Sequence, residues 1–201
     1  MRQHWWYRGR RAAVASLLRR AGIPHDGRVL DYGCGTGHMG AVLAGFGVVC
    51  GVEGSEEAVR FGSFDAYAEL RVAASPGDPQ FPPGPYSLIS LLDVLEHVPD
   101  ERQLLAALTA ELERNGRIVA SVPMDPSLFC EVDVLAGHQR RYTRASFNRL
   151  IGDAGLEIEA TTGYVVTLLP LARMQRRRVM AGRVELPAGL SWITVLRRTP
   201  A

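Results

Sequence analysis

The sequence predicts an α/β fold, a mostly parallel sheet with helices on both faces. Three observations carry that expectation. Short apolar runs of β character alternate with stretches of helical periodicity. The connections between successive strands are mostly long enough to hold a helix, as parallel pairing requires. The first strand also runs straight into a glycine cluster, "VLDYGCGTGHMG" at 29–40, where open parallel sheets bind their ligands.

The elements follow in order. In "RAAVASLLRRAG", Val14, Leu17, Leu18 and Ala21 recur at helical spacing before Gly22 and Pro24, which predicts a helix over about 8–21. "RVLDY" (28–32) is a buried strand, and a helix is expected from Gly35 to about Gly45. "VVCGVE" (48–53) is the second strand. Ser55 then caps a helix over 55–62 that has two acids in its first turn, where the helix dipole favours them. A weak strand at 70–74 precedes "SPGDPQFPPGP" (75–85), whose prolines and glycines mark a loop. "YSLISLLD" (86–93) is strongly apolar; a helix is expected from Pro99 to Arg114, ended by Asn115-Gly116, and "GRIVASV" (116–122) is the next strand. Thr143 caps a helix running to Gly155, followed by "LEIEATTGY" (156–164) and a final β-rich "LSWITVLRR" (190–198). The loops after Asp31, Glu53, Ala74, Leu92 and Val122 then form the site.

Composition narrows the function. At 201 residues, 47% of them hydrophobic, the chain suffices for one core, read as a single domain. Residues 1–24 form a helical cap, 25–164 the ligand-binding core, and 165–201 a connection with the last strand. A net charge of +2 argues against a duplex-binding protein. Cys34, Cys50 and Cys130 are odd in number and widely spaced, so neither a disulfide framework nor a zinc site is indicated, and a reducing cytoplasm is expected. No secretory signal and no run of 18 apolar residues occurs.

The ligand follows from charge. Gly35, Gly37 and Gly40 spell the spacing of a dinucleotide loop. Asp31, however, stands just before the glycines, where its carboxylate repels a pyrophosphate but favours an ammonium or sulfonium group. S-adenosylmethionine carries both cations and no phosphate. Glu53, at the end of the second strand, is placed to accept ribose hydroxyls from either cofactor.

"VLDYGCGTG", "GVEGS" and "LLDVLEHVPD" resemble the successive motifs of class I S-adenosylmethionine-dependent methyltransferases, in particular the bacterial small-molecule group related to ubiquinone-biosynthesis O-methyltransferases. "HWWYRGRR", "GHQRRYT" and "LIGDAGLEI" extend the resemblance over most of the chain. It implies a Rossmann-like seven-stranded sheet with an antiparallel last strand. It also implies S-adenosylmethionine as cofactor, S-adenosylhomocysteine as product, and contacts from Asp31, Gly33, Cys34, Gly35, Gly37, Glu53, Gly54 and Asp93. Ser75 stands where relatives carry an adenine-binding acid. The segment before the last strand is shorter than in similar proteins.

Methyl transfer from a sulfonium is a direct displacement, so a base is needed only where the acceptor must lose a proton. His138 is the first candidate, ahead of His97 and His4. Trp5 and Trp6 are candidates for an aromatic lid over the acceptor, and Arg140, Arg141 and Tyr142 for binding it. Glu96 with His97 is too small a set to indicate a metal, and none is assigned. The expected activity is methylation of a small molecule at oxygen or nitrogen. The alternatives are a nicotinamide-dependent oxidoreductase on a related fold, or a methyltransferase of RNA or protein; no base-methylating tetrapeptide follows the fourth strand. "YVVTLLPLARMQRRR" is read as a buried segment ending in a solvated basic turn rather than as a membrane contact.

Overall fold

The computed structural model describes residues 5–73, 75–164 and 191–200. Seven strands form one sheet: β1 (Gly27–Tyr32), β2 (Gly47–Glu53), β3 (Glu69–Val72), β4 (Tyr86–Leu92), β5 (Leu112–Pro123), β6 (Leu156–Tyr164) and β7 (Ser191–Arg198). Their order is β3-β2-β1-β4-β5-β7-β6. The pairs from β3 through β5 are parallel, whereas β7 runs antiparallel to both neighbours, so the expected seven-stranded sheet with one reversed strand is present. Chain order reverses between β1 and β4, which opens a crevice at their carboxyl ends.

The central strands bury both faces, which is why they read as continuous apolar runs rather than alternating ones. One layer packs α1 (Trp5–Arg20), through Val14, Leu17 and Leu18, with Leu43 and Phe46 against Val29, Leu88, Val119 and Val195. The other packs α4 (Glu101–Ala110), through Leu104, Leu105 and Leu108, and α6 (Arg144–Asp153), through Phe147, Leu150 and Ile151, against Leu30, Ile89, Ile118 and Leu196. Ser55 accepts the Ala58 amide at the start of α3 (Glu56–Phe61), and Thr143 caps α6 reciprocally with Ser146. Among the described residues no helix is long and apolar enough to cross a membrane.

Two helices are shorter than their sequence pattern. The helix expected from Gly35 starts only at Gly40: α2 is Gly40–Leu43, continued by one 3₁₀ turn, because Gly35 and Gly37 sit at φ +56° and +82°, outside helical space. α4 stops at Ala110 rather than Arg114. The Glu111 carbonyl takes the Tyr86 amide at 2.8 Å and Leu112 pairs with Tyr86, so the sheet captures residues that otherwise suit another helical turn. α5 (Glu131–Leu135), between β5 and α6, is an element the sequence pattern does not announce.

Candidate active site

Two adjoining clefts open at the carboxyl ends of β1, β2 and β4. The larger, about 410 Å³, is lined by Tyr32, Gly33, Glu53, Gly54, Ala73, Asp93, Val94, His97 and Val98. The smaller, about 210 Å³, is lined by Arg10, Arg11, Asp31, Cys34, Gly35, Thr36, His38, Met39 and Leu92, and it shares Gly33 and Asp93 with the first. Most of the residues expected at the cofactor therefore meet in one place. Gly37 is not among the lining residues; a Cβ there would lie 2.2 Å from the Ser63 carbonyl, so its task is to let the turn lie against that loop. Ser75 is exposed and also outside the lining, and Ala73 occupies the wall instead.

The glycine turn is arranged around carboxylates. Glu53 ends β2, and its Oε2 accepts the Gly35 amide at 2.7 Å while Oε1 accepts the Ser55 amide at 2.9 Å. The amide that a pyrophosphate would need is thus already donated to an acid. The helix behind it, α2, has four residues and offers little dipole, which argues against a dinucleotide. A carboxylate has about four acceptor positions, so Glu53 keeps capacity for ribose hydroxyls facing the cleft.

Asp31 is buried at 3% exposure, and the Tyr67 hydroxyl donates to its Oδ2 at 2.6 Å. Burial pushes its carboxyl up to about 6; the hydrogen bond from Tyr67 opposes that rise and the charge of Glu53 adds to it. An acid held in this way gains when a cation arrives, as the ammonium of S-adenosylmethionine would at this wall. Gly40, the third glycine of the literal motif, makes the arrangement possible, because a Cβ there would fall 2.3 Å from the Tyr67 ring. The buried acid, the anchored ribose acceptor and the glycine turn suit S-adenosylmethionine, which when bound supplies an activated methyl group on sulfur.

Asp93 joins α1 to this site. It sits at φ +56°, and its carboxylate takes Arg10 at 2.6 Å and the Ser121 hydroxyl at 2.6 Å, while Arg10 also reaches Ser121 Oγ at 2.8 Å. Arg10, Tyr67 and Ser121 went unnoticed in the sequence, since each acts across more than 25 positions and belongs to no local motif.

His97 lines the larger cleft; His138 lines neither cleft but stands behind it, its ring at 82° to that of His97 with centroids 4.8 Å apart. Burial and the neighbouring His138 hold the His97 imidazole below its ordinary range, which favours the neutral ring. His138 Nδ1 lies 2.8 Å from Asp133 Oδ1, and its Nε2 lies 4.0 Å from Glu96 Oε1, too far for a hydrogen bond. Glu96 is fully buried, and neither of its carboxyl oxygens has a hydrogen-bond partner; burial and the charge of Asp93 push its carboxyl well above the usual range. Among the described residues Glu96, His97 and His138 bring ligand-type atoms within 4.8 Å of one another, a set the sequence spacing of Glu96 and His97 alone does not reveal.

The other acceptor candidates are engaged elsewhere. Arg141 is buried and holds Asp133 with two nitrogens, at 2.9 and 3.0 Å; Arg140 pairs with Glu101 and reaches the Pro99 carbonyl at 3.2 Å. Each therefore neutralises an acid of the fold. Tyr142 packs edge-on against Phe147 in the core and is 3% exposed. His4 and the side chains of Trp5 and Trp6 lie outside the described residues, as does the "YVVTLLPLARMQRRR" segment beyond Tyr164.

Comparison with known proteins agrees with this geometry. The profile of the family described as "Methyltransferase domain" matches residues 5–161. A ubiquinone biosynthesis O-methyltransferase of Thiobacillus denitrificans is 27% identical over 168 residues, which cover 74% of this chain and 72% of that protein. Among solved structures, magnesium protoporphyrin IX methyltransferase from Synechocystis with bound S-adenosylhomocysteine superposes with a TM-score of 0.65 at 18% identity, over 95% of this chain and 84% of that one. The YcgJ protein of Bacillus subtilis gives 0.69 at 13% identity, over 94% and 99%. At such identities the structural likeness speaks for the fold, and the profile match speaks for the family. The fold, the clefts and the profile match thus lead to one conclusion: the chain belongs to the methyltransferase-domain family and is an S-adenosylmethionine-dependent class I methyltransferase.

Proposed function

We propose that the protein methylates a small molecule at oxygen or nitrogen, with His138 taking the proton that the acceptor must lose. The observation that carries this reading is a histidine oriented by a buried aspartate, His138 on Asp133, set against His97 at the cleft wall. An Asp–His couple is the arrangement of a general base, which a hydroxyl acceptor requires and an amine can use to shed its proton. The clefts, of a few hundred cubic ångströms, suit a cofactor and a small acceptor rather than a polymer. The related ubiquinone-biosynthesis protein is named for transfer to oxygen, which favours that atom. A cytoplasmic location agrees with the three cysteines being free.

The test is a labelled-methyl transfer assay over small-molecule, RNA and protein fractions, run on wild type and His138→Gln. Label in the small-molecule fraction, reduced at least about 10²-fold by the substitution, supports the reading. Label in RNA or protein alone overturns it. A second reading, a divalent cation on Glu96, His97 and His138, is favoured by the unpartnered Glu96 carboxyl; transfer abolished by chelator and restored by magnesium or manganese would establish it.

A further inference from the structure

The loop "CEVDVLAGHQRRY" (130–142) contains an acid that neither its sequence position nor any methyltransferase motif singles out. Asp133 is 1% exposed and accepts three donors, the Cys130 amide at 2.9 Å, Arg141 Nε at 2.9 Å and Arg141 Nη2 at 3.0 Å, while His138 Nδ1 lies 2.8 Å from its Oδ1. Burial alone would raise its carboxyl, but Arg141, the Cys130 amide and His138 together hold it below the usual range, so it is an ionised group that can only accept. The ring nitrogen facing it must then carry a proton whatever the charge on the imidazole.

Three further contacts hold the turn that carries the ring. The His138 amide donates to the Asp133 carbonyl at 2.8 Å, and the Gln139 amide donates to the Glu96 carbonyl at 2.8 Å. The Gln139 side chain also reaches the His97 carbonyl at 2.8 Å, so the turn carrying His138 is stitched to the one carrying Glu96 and His97. Arg141 is fixed on Asp133 and on the Met124 carbonyl at 3.3 Å.

We propose that Asp133 is a positioning residue: clamped by Arg141, it locks His138 in the Nδ1-protonated tautomer, leaving Nε2 as the ring's single proton-accepting atom beside Glu96 and His97. This inference rests on the proposed role of His138. In the reaction, the acceptor O–H or N–H bond breaks and its proton passes to His138 Nε2. The acceptor's electron pair forms the new bond to the methyl carbon, and the carbon–sulfur bond breaks with its pair left on sulfur. The imidazolium so formed keeps its Nδ1–H on Asp133, whose charge it neutralises, and later returns the extra proton to solvent.

The experiment uses the full chain labelled with ¹⁵N-histidine and saturated with S-adenosylhomocysteine, read by long-range ¹H–¹⁵N correlation, with His138→Gln assigning the resonances. The wild-type ring is expected in the Nδ1–H form, the opposite of the form that free imidazole side chains prefer. In Asp133→Asn the arginine and the Cys130 amide claim the amide oxygen, the NH₂ turns toward His138, and the ring is expected to switch to Nε2–H. Turnover should fall about 10²-fold or more through the wrong tautomer, with affinity for S-adenosylhomocysteine unchanged. The wild-type spectrum decides by itself if the variant fails to fold: a His138 ring protonated at Nε2 overturns the inference. If His138→Gln abolishes transfer while Asp133→Asn leaves tautomer and turnover unchanged, the role of Asp133 falls alone. If His138→Gln leaves transfer intact, the base reading falls and the positioning role goes with it.

Discussion

Asp31→Asn should make the ligand-free protein more stable and worse at binding. Unfolded, Asp31 ionises near 3.8; folded, burial holds its proton until about 6. Between those values the folded chain binds more protons than the unfolded one, so this group's contribution to stability falls as pH rises and the penalty is complete above about 6. The separation corresponds to roughly 3 kcal/mol. Asparagine keeps an oxygen for the Tyr67 hydroxyl and carries no charge, so the variant should exceed wild type by up to about 3 kcal/mol at pH 8 and match it near pH 4. Urea unfolding of the ligand-free protein across that range measures the difference, which isolates Asp31 from other titrating groups. Calorimetry with S-adenosylhomocysteine supplies the other half: near pH 6, wild-type binding should release protons as the ligand's ammonium draws Asp31 into its ionised form. The variant should bind weakly and release none from this group. A variant less stable than wild type at pH 8, or a difference constant from pH 4 to pH 8, would refute the account of Asp31 as a charge held ready for a cation.

Three further outcomes follow from neighbouring contacts. Tyr67→Phe removes the donor at 2.6 Å from Asp31, so the pH below which S-adenosylhomocysteine affinity declines should move upward, measured by calorimetry from pH 5 to 8. Glu53→Ala loses the proposed ribose acceptor and frees the Gly35 and Ser55 amides; charge-assisted bonds of about 1.5–3 kcal/mol each imply a loss of about 10²-fold or more in that affinity, with a lowered thermal midpoint as the two amides lose their partner. Arg10→Ala leaves Asp93 with the Ser121 hydroxyl but no cation and unties α1 from the end of β4; about 1–2 kcal/mol of stability should be lost, most visibly as faster hydrogen exchange in residues 8–20.

What was legible in the sequence is what periodicity and charge order encode. Strand and helix alternation follows from apolar spacing, and Asp31 and Glu53 could be read because each terminates a strand beside glycines. The illegible parts depend on partners distant along the chain. Nothing local distinguishes Leu112 from a helical residue; the Tyr86 amide, presented by β4, draws Glu111 and Leu112 into the sheet instead. Arg140 and Arg141 look like one basic patch, yet they point to different acids, Glu101 and Asp133, and only the fold decides that pairing. Tyr67 belongs to an unremarkable connection, and its link to Asp31 requires β2, the glycine turn and the space above Gly40 to be in place at once.

The reversed strand sets how freely this enzyme can vary. Because β7 runs against β6, Tyr164 and Ser191 are register partners, and Ser191 also pairs with Pro123 at the same rim as the clefts. The chain between them therefore leaves and re-enters the sheet at adjacent positions, whatever its length. Once the ends of a connection are already together, doubling its length costs only about 0.6 kcal/mol of closure entropy. The pairing of Tyr164 with Ser191 therefore tolerates connections of quite different size between the two strands. A lineage of such proteins can thus vary this connection while inheriting the sheet, the glycine turn and Asp31 unchanged.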